Sequence, residues 1–215
     1  MIEILGVNDT GIKEQSMAYD EASLLDGAVR ISDNALRADG HYKLIFKKEA
    51  TADVCAFIEW EKGRRSDIRG EQGGIMIGKR YYDPVKDIHY AVAMRAIPAR
   101  IAHGDTGYLD MRDDSWVYMY KKKEEYEALT GEETVILGWF HTHPNGLDCF
   151  FSNTDRDTQE KCFNEDNSFA VVLNPQRHLV KAYRSKDCYD AQAFFVRDGK
   201  TMSDEPGYDR RRSWL

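Results

Sequence analysis

Cysteine is scarce: Cys55, Cys149, Cys162 and Cys188 are the only four in 215 residues, far apart and with no C-x-x-C pair among them. Such spacing builds neither a disulfide framework nor a structural zinc cluster, so reduced thiols are expected. Apolar runs are short. None approaches the ~20 residues that a membrane-spanning helix needs, and Met1–Gly6 lacks a basic stretch leading into a long apolar one. The chain is therefore expected to be soluble and cytoplasmic, with no membrane partner. Basic excess is also missing: 30 Lys and Arg against 37 Asp and Glu leave a formal charge of -7, which argues against nucleic-acid binding. The same balance admits a basic substrate tail. No repeat or low-complexity tract occurs, and Arg210-Arg211-Arg212 reads as a solvated tail.

With 42% hydrophobic residues the chain can build a core, and its length favours one domain with appendages. The most informative stretch is Gly138-Trp139-Phe140-His141-Thr142-His143-Pro144, followed by Ser152-Asn153-Thr154-Asp155. Thr134–Phe140 is apolar and β-prone, as in a strand buried on both faces. Side chains alternate along a strand, so His141 and His143 project to one side and Thr142 to the other. Pro144 and Asn145-Gly146 then stop the strand. Two imidazoles and one carboxylate leave a tetrahedral zinc one ligand short, the position in which an enzyme keeps water. Ferrous iron accepts the same donor set.

Ser152-x-x-Asp155 also reads as a capping box that starts a helix. The two roles are compatible, because a side chain in a first helical turn is rigidly aimed. A base for the water is offered by Glu71, at the head of the strand Glu71–Gly78, where Gly73 and Gly74 let another backbone approach closely. His41, His89, His103 and His178 have no ligand spacing and are read as structural or surface residues.

Together, Glu71-x-x-Gly74-x-Met76-x-Gly78, His141-Thr142-His143-Pro144 and Ser152-x-x-Asp155 resemble the JAMM metalloproteases of the MPN (JAB) superfamily, over roughly residues 42–185. The resemblance implies an α/β fold, a JAB/MPN-type mixed β-sheet flanked by helices in a single domain. It implies one catalytic Zn2+ held by His141, His143 and Asp155, with Glu71 as general base and Ser152 helping to stabilise the oxyanion. The activity implied is isopeptide or peptide hydrolysis at the carboxyl terminus of ubiquitin or a ubiquitin-like protein, whose tails often contain arginine. A bacterial-type member working beside ubiquitin-like conjugation machinery is the preferred subclass. A protease processing a sulfur-carrier protein and a non-catalytic MPN scaffold are the alternatives, the second disfavoured because every ligand is kept. One departure stands out: seven residues separate Pro144 from Ser152, where the family pattern more often has six. Since Ser152 and Asp155 keep their own spacing, only the loop tip is expected to differ.

The domain is expected over residues 41–198, after an N-terminal extension, 1–40, of unknown role that carries a helix near Ser16–Val29. A loosely held tail, 199–215, follows. Strands are expected at 41–46, 71–78, 88–94, 134–140, 169–173 and 179–184, with an edge strand at 191–196. Helices are expected over Thr51–Glu61, ended by Gly63, from Asp113 to Leu129, and from Ser152 to about Phe163. In the second of these, Trp116, Met119, Tyr120 and Lys123 share a face, read as core packing. Without a covalent intermediate to form, Cys149 and Cys162 are not read as nucleophiles.

Overall fold

A computed structural model describes residues 15–16, 21–30, 39–65, 70–100, 103–105, 108–111, 113–203 and 207–208. In chain order these form β1 (Gln15–Ser16), α1 (Glu21–Leu25), β2 (Ala28–Arg30), β3 (Tyr42–Phe46), α2 (Lys48–Phe57), a 3-10 helix (Trp60–Arg65), β4 (Gly73–Asp83) and β5 (Ile88–Pro98). There follow β6 (His103–Asp105), β7 (Tyr108–Asp110), α3 (Asp113–Thr130), β8 (Val135–Thr142), α4 (Asn153–Cys162), β9 (Phe169–Asn174), β10 (Leu179–Arg184), β11 (Tyr189–Asp190), β12 (Gln192–Val196) and β13 (Gly207–Tyr208).

One mixed sheet runs β11-β10-β9-β8-β4-β5-β3-β12-β2, with β1 added to β4 and β13 to β10. β8 pairs parallel with β9 and antiparallel with β4, and all eight of its residues are buried, as its unbroken apolar composition predicts. On one face α2 covers Leu44, Phe46, Leu137, Val171 and Phe195. On the other, Trp116 and Met119 of α3 pack with Ile75, Trp139, Phe151, Phe163 and Val172. The aromatic face of α3 is thus core, with Tyr118, Tyr120 and Tyr126 packed at its margin. This is the α/β architecture, a mixed sheet flanked by helices, that the motifs implied.

β8 does not alternate strictly. Its register with β4 shifts where Met76 faces Gly138 and Ile77 faces Ile136, leaving Leu137 as an extra residue. Gly138 adopts φ +140, and a Cβ there would lie 1.8 Å from the Phe169 carbonyl oxygen, so only glycine serves. The bulge has a topological consequence. Val135 and Leu137 pack under α2, whereas Trp139, two residues further, packs on the opposite face beside α4, and His141 stacks on it.

Four expectations need correction. The helix near Ser16–Val29 shrinks to Glu21–Leu25, because Gly27 at φ +70 turns the chain and Ala28–Arg30 pairs with β12 instead. α2 begins at Lys48 and ends at Phe57, since Glu59 leaves the helical region at φ 51 well before Gly63. β12 is an interior strand, parallel to β3 on one side and antiparallel to β2 on the other. The start of the tail is anchored: Asp198 accepts the Lys200, Thr201 and Met202 N–H groups, and Met202 is fully buried. The hairpin β6–β7 inside the insertion was unforeseen, and Arg210–Arg212 lie outside the described residues.

Candidate active site

β8 delivers His141 at its end, and the chain continues so that the His143 N–H donates to the Leu173 carbonyl (2.9 Å) before Pro144 turns away. α4 delivers Asp155 from its first turn. Ser152 is its N-cap: the Asp155 N–H donates to Ser152 Oγ (3.2 Å), and the Ser152 N–H donates to Asp155 Oδ2 (2.7 Å). The capping box and the ligand reading therefore hold together. Oδ2 closes the cap while Oδ1 lies 3.3 Å from His141 Nε2.

The two Nε2 atoms are 3.3 Å apart, and the ligand atoms of His141, His143 and Asp155 all lie within 4.8 Å of one another. Glu71, immediately before β4, brings Oε1 to 3.8 Å from His143 Nε2. All four residues are buried, His141 completely. His143 Nδ1 lies in hydrogen-bond contact with the Asp148 carbonyl; donating there aims the Nε2 lone pair at the centre. Imidazole nitrogens and carboxylate oxygens thus converge on one point, and no cationic side chain among the described residues is paired with them. His141 Nδ1 and Glu71 Oε2 are buried without hydrogen-bond partners among the described residues. Such a donor set fits a divalent cation of the zinc type.

The electrostatics follow from burial in competition with neighbours. Burial alone raises the Asp155 pKa, but His141, with hydrogen bonds from His141, His143 and Ser152, holds the carboxyl far below the usual carboxylate range. Glu71 behaves oppositely: burial raises its pKa, and the histidines reduce that rise only in part while Asp155 adds to it. For His143, burial works downward, yet Asp155, the Asp148 carbonyl and Glu71 carry the pKa above the ordinary imidazole value.

Several residues that pattern reading missed build the frame. Gln159, one turn beyond Asp155 and fully buried, accepts from Trp139 Nε1–H (2.8 Å) and donates to the Phe163 carbonyl (2.8 Å), tying α4 to β8. Asn174 donates to the Asn145 and Leu147 carbonyls (3.0 and 2.7 Å), and Tyr183 O–H donates to the Cys149 carbonyl (2.8 Å). These bonds pin the longer loop, whose turn uses Asn145 at φ 58. Residues three or more turns of chain away cannot announce such contacts. The spacing of Gln159 from Asp155 was the one available signal, placing both on one helix face.

A cleft of about 1320 Å³ reaches Glu71, and Gln72, Phe57, Arg95, Leu109 and Tyr126 are among its other lining residues. It is mixed in charge, because Arg95 holds Asp53 (2.6 and 2.8 Å) and Lys122 holds Glu125 (2.6 Å). Three other histidines stay out of the centre: His89 stacks with Tyr42 and Tyr82, His178 with Trp60, and His41 contacts the Asp87 carbonyl; the side chain of His103 is outside the described residues. All four cysteines are free thiols. No helix among the described residues is long and apolar enough to cross a membrane.

Over 138 residues the chain is 29% identical to ubiquitin carboxyl-terminal hydrolase RPN11 of Saccharomyces cerevisiae, covering 63% of this chain and 40% of that one. The 26S proteasome regulatory subunit RPN11 of Eremothecium gossypii is 30% identical over the same length and shares. COP9 signalosome complex subunit 5 of Kluyveromyces lactis is 31% identical over 96 residues, 44% of this chain and 23% of that one. The chain thus spans well under half the length of these relatives. Residues 57–168 match the family model described as JAB1/Mov34/MPN/PAD-1 ubiquitin protease, and the chain belongs to that JAB family.

Proposed function

We propose that this protein is a zinc-dependent isopeptidase or peptidase that cleaves at the carboxyl terminus of ubiquitin or a ubiquitin-like protein. The observation that carries the reading is the convergence of His141, His143 and Asp155 on one buried point with Glu71 beside it. His141 and His143 would hold the metal through Nε2 and Asp155 through its carboxylate. When bound, zinc supplies Lewis acidity and acidifies a coordinated water to a pKa of about 7. Glu71 takes the proton of the attacking water and returns it to the departing amine; its raised pKa suits a group that must both accept and release. The Ser152 hydroxyl accepts from the Asp155 N–H and directs its own proton at the oxyanion of the tetrahedral intermediate. No acyl-enzyme forms, so the buried Cys149 has no chemical part.

The cleft supplies a path for an extended tail running to Glu71. The relatives' printed names, a ubiquitin carboxyl-terminal hydrolase among them, support a ubiquitin-type substrate. Incubating the protein with ubiquitin and ubiquitin-like fusions, sulfur-carrier proteins included, should give cleavage at the junction that chelator abolishes and zinc restores. Stoichiometric iron with oxygen consumption, or no hydrolysis of any fusion by the zinc-loaded protein, would refute the proposal.

A further inference from the structure

Glu71 precedes β4, and its side chain makes no hydrogen bond among the described residues: Oε2 is buried without a partner and Oε1 stands 3.8 Å from His143 Nε2. Something else must aim it. The register sets Gly73 opposite His141, which carries Gln72 opposite Thr142 and Glu71 opposite His143. At Thr142 the pairing is closed by side chain as well as backbone. The Thr142 N–H donates to the Gln72 carbonyl (2.7 Å), and the Gln72 N–H donates to Thr142 Oγ1 (2.9 Å). Thr142 is 1% exposed and lies between the two histidines, on the strand face opposite theirs.

We propose that Thr142 is the positioning residue for the acid at 71: its hydroxyl extends the β4–β8 ladder one residue beyond the strand and so fixes Glu71 across from His143. It touches neither metal nor substrate. His141 is placed by β8 and His143 by its N–H bond to the Leu173 carbonyl of β9, so removing the hydroxyl leaves ligation intact and loosens only the acid. A misplacement of about 1 Å at a reacting group costs on the order of 100-fold in rate.

This inference rests on the hydrolytic reading for its kinetic arm and is independent of it in its structural arm. Thr142→Val is expected to keep the wild-type zinc content and a KM within about twofold, while kcat falls on the order of 100-fold. Thr142→Ser, which keeps the hydroxyl, should restore kcat. On a Glu71→Gln background, Thr142→Val should lower kcat no further, because the acid it aims has gone. Hydrogen exchange read at the Gln72 amide should quicken in Thr142→Val and stay slow in Thr142→Ser. Loss of zinc in the valine variant, an unchanged kcat, failure of serine to rescue, or an equally protected Gln72 amide each overturns the assignment. If the wild-type protein hydrolyses nothing, the proposed function fails, and the amide exchange still decides the clamp.

Discussion

Asp155 shows how one side chain serves two ends. Its Oδ2 completes a helix cap and its Oδ1 faces His141, so the carboxylate is oriented before any cation arrives. Glu71 is its counterpart, a carboxylate with a raised pKa and no hydrogen bond among the described residues, which suits proton transfer better than ligation. The roles separate by substitution. Glu71→Gln should keep bound zinc and lose turnover by about 10²–10⁴-fold, whereas His141→Ala or Asp155→Ala should lose the metal together with the activity. Zinc per chain, measured beside kcat, checks this, and a Glu71→Gln variant with wild-type turnover would remove the acid from the mechanism. At this scale the sequence was legible: the same-face histidine pair and Ser152-x-x-Asp155 named the three residues whose ligand atoms converge, and the cap of α4, before any coordinates. The contribution of Thr142 was not, because its partner is 70 positions away.

Elements act as rigid carriers here, and the join between α4 and β8 is the critical one. A single buried amide, Gln159, bridges them through Trp139, whose ring also stacks on His141 at 4.5 Å. Gln159→Leu keeps the bulk and removes the acceptor, leaving the Trp139 N–H buried and unpaired, at a cost of about 1–3 kcal/mol. Because α4 also aims Asp155, zinc affinity should drop about 10–100-fold. Urea unfolding and competition with a zinc chelator measure the two effects. Lower stability with unchanged zinc affinity would mean that the capping box alone orients the ligand. β8 and α3 were readable from composition and periodicity. The bounds of α1, the strand β2 and the interior place of β12 were not, since a short segment with a weak pattern takes the state its neighbours impose.

At the scale of the whole molecule, α1 and β2 are tied into the sheet. Leu24 is buried with Ile45, Tyr90, Val92 and Phe194, and β2 covers one edge of β12. Glu21 pairs with the largely buried Lys43 and stands 3.5 Å from Lys86. Deleting residues 1–30 would expose that apolar cluster and leave the Lys43 ammonium without its carboxylate, lowering stability by at least about 3 kcal/mol. Thermal unfolding of the shortened chain against the full one is the measurement; an unchanged midpoint would show that these residues decorate the sheet without supporting it.

By itself the sequence named the candidate donors His141, His143 and Asp155, the candidate base Glu71, and the strand and helix that carry them, because those depend on residue type and short-range spacing. Tertiary structure decided which way the site faces. Strict alternation would have put His141 on the α2 face with Val135 and Leu137; the bulge at Gly138 turns it to the α4 face, where Asp155 waits. At that bulge the Phe169 backbone lies so close to Gly138 that no Cβ fits, a contact made only when β9 lies beside β8. Strand pairing across 31 residues is a property of the folded sheet, and no local pattern encodes it.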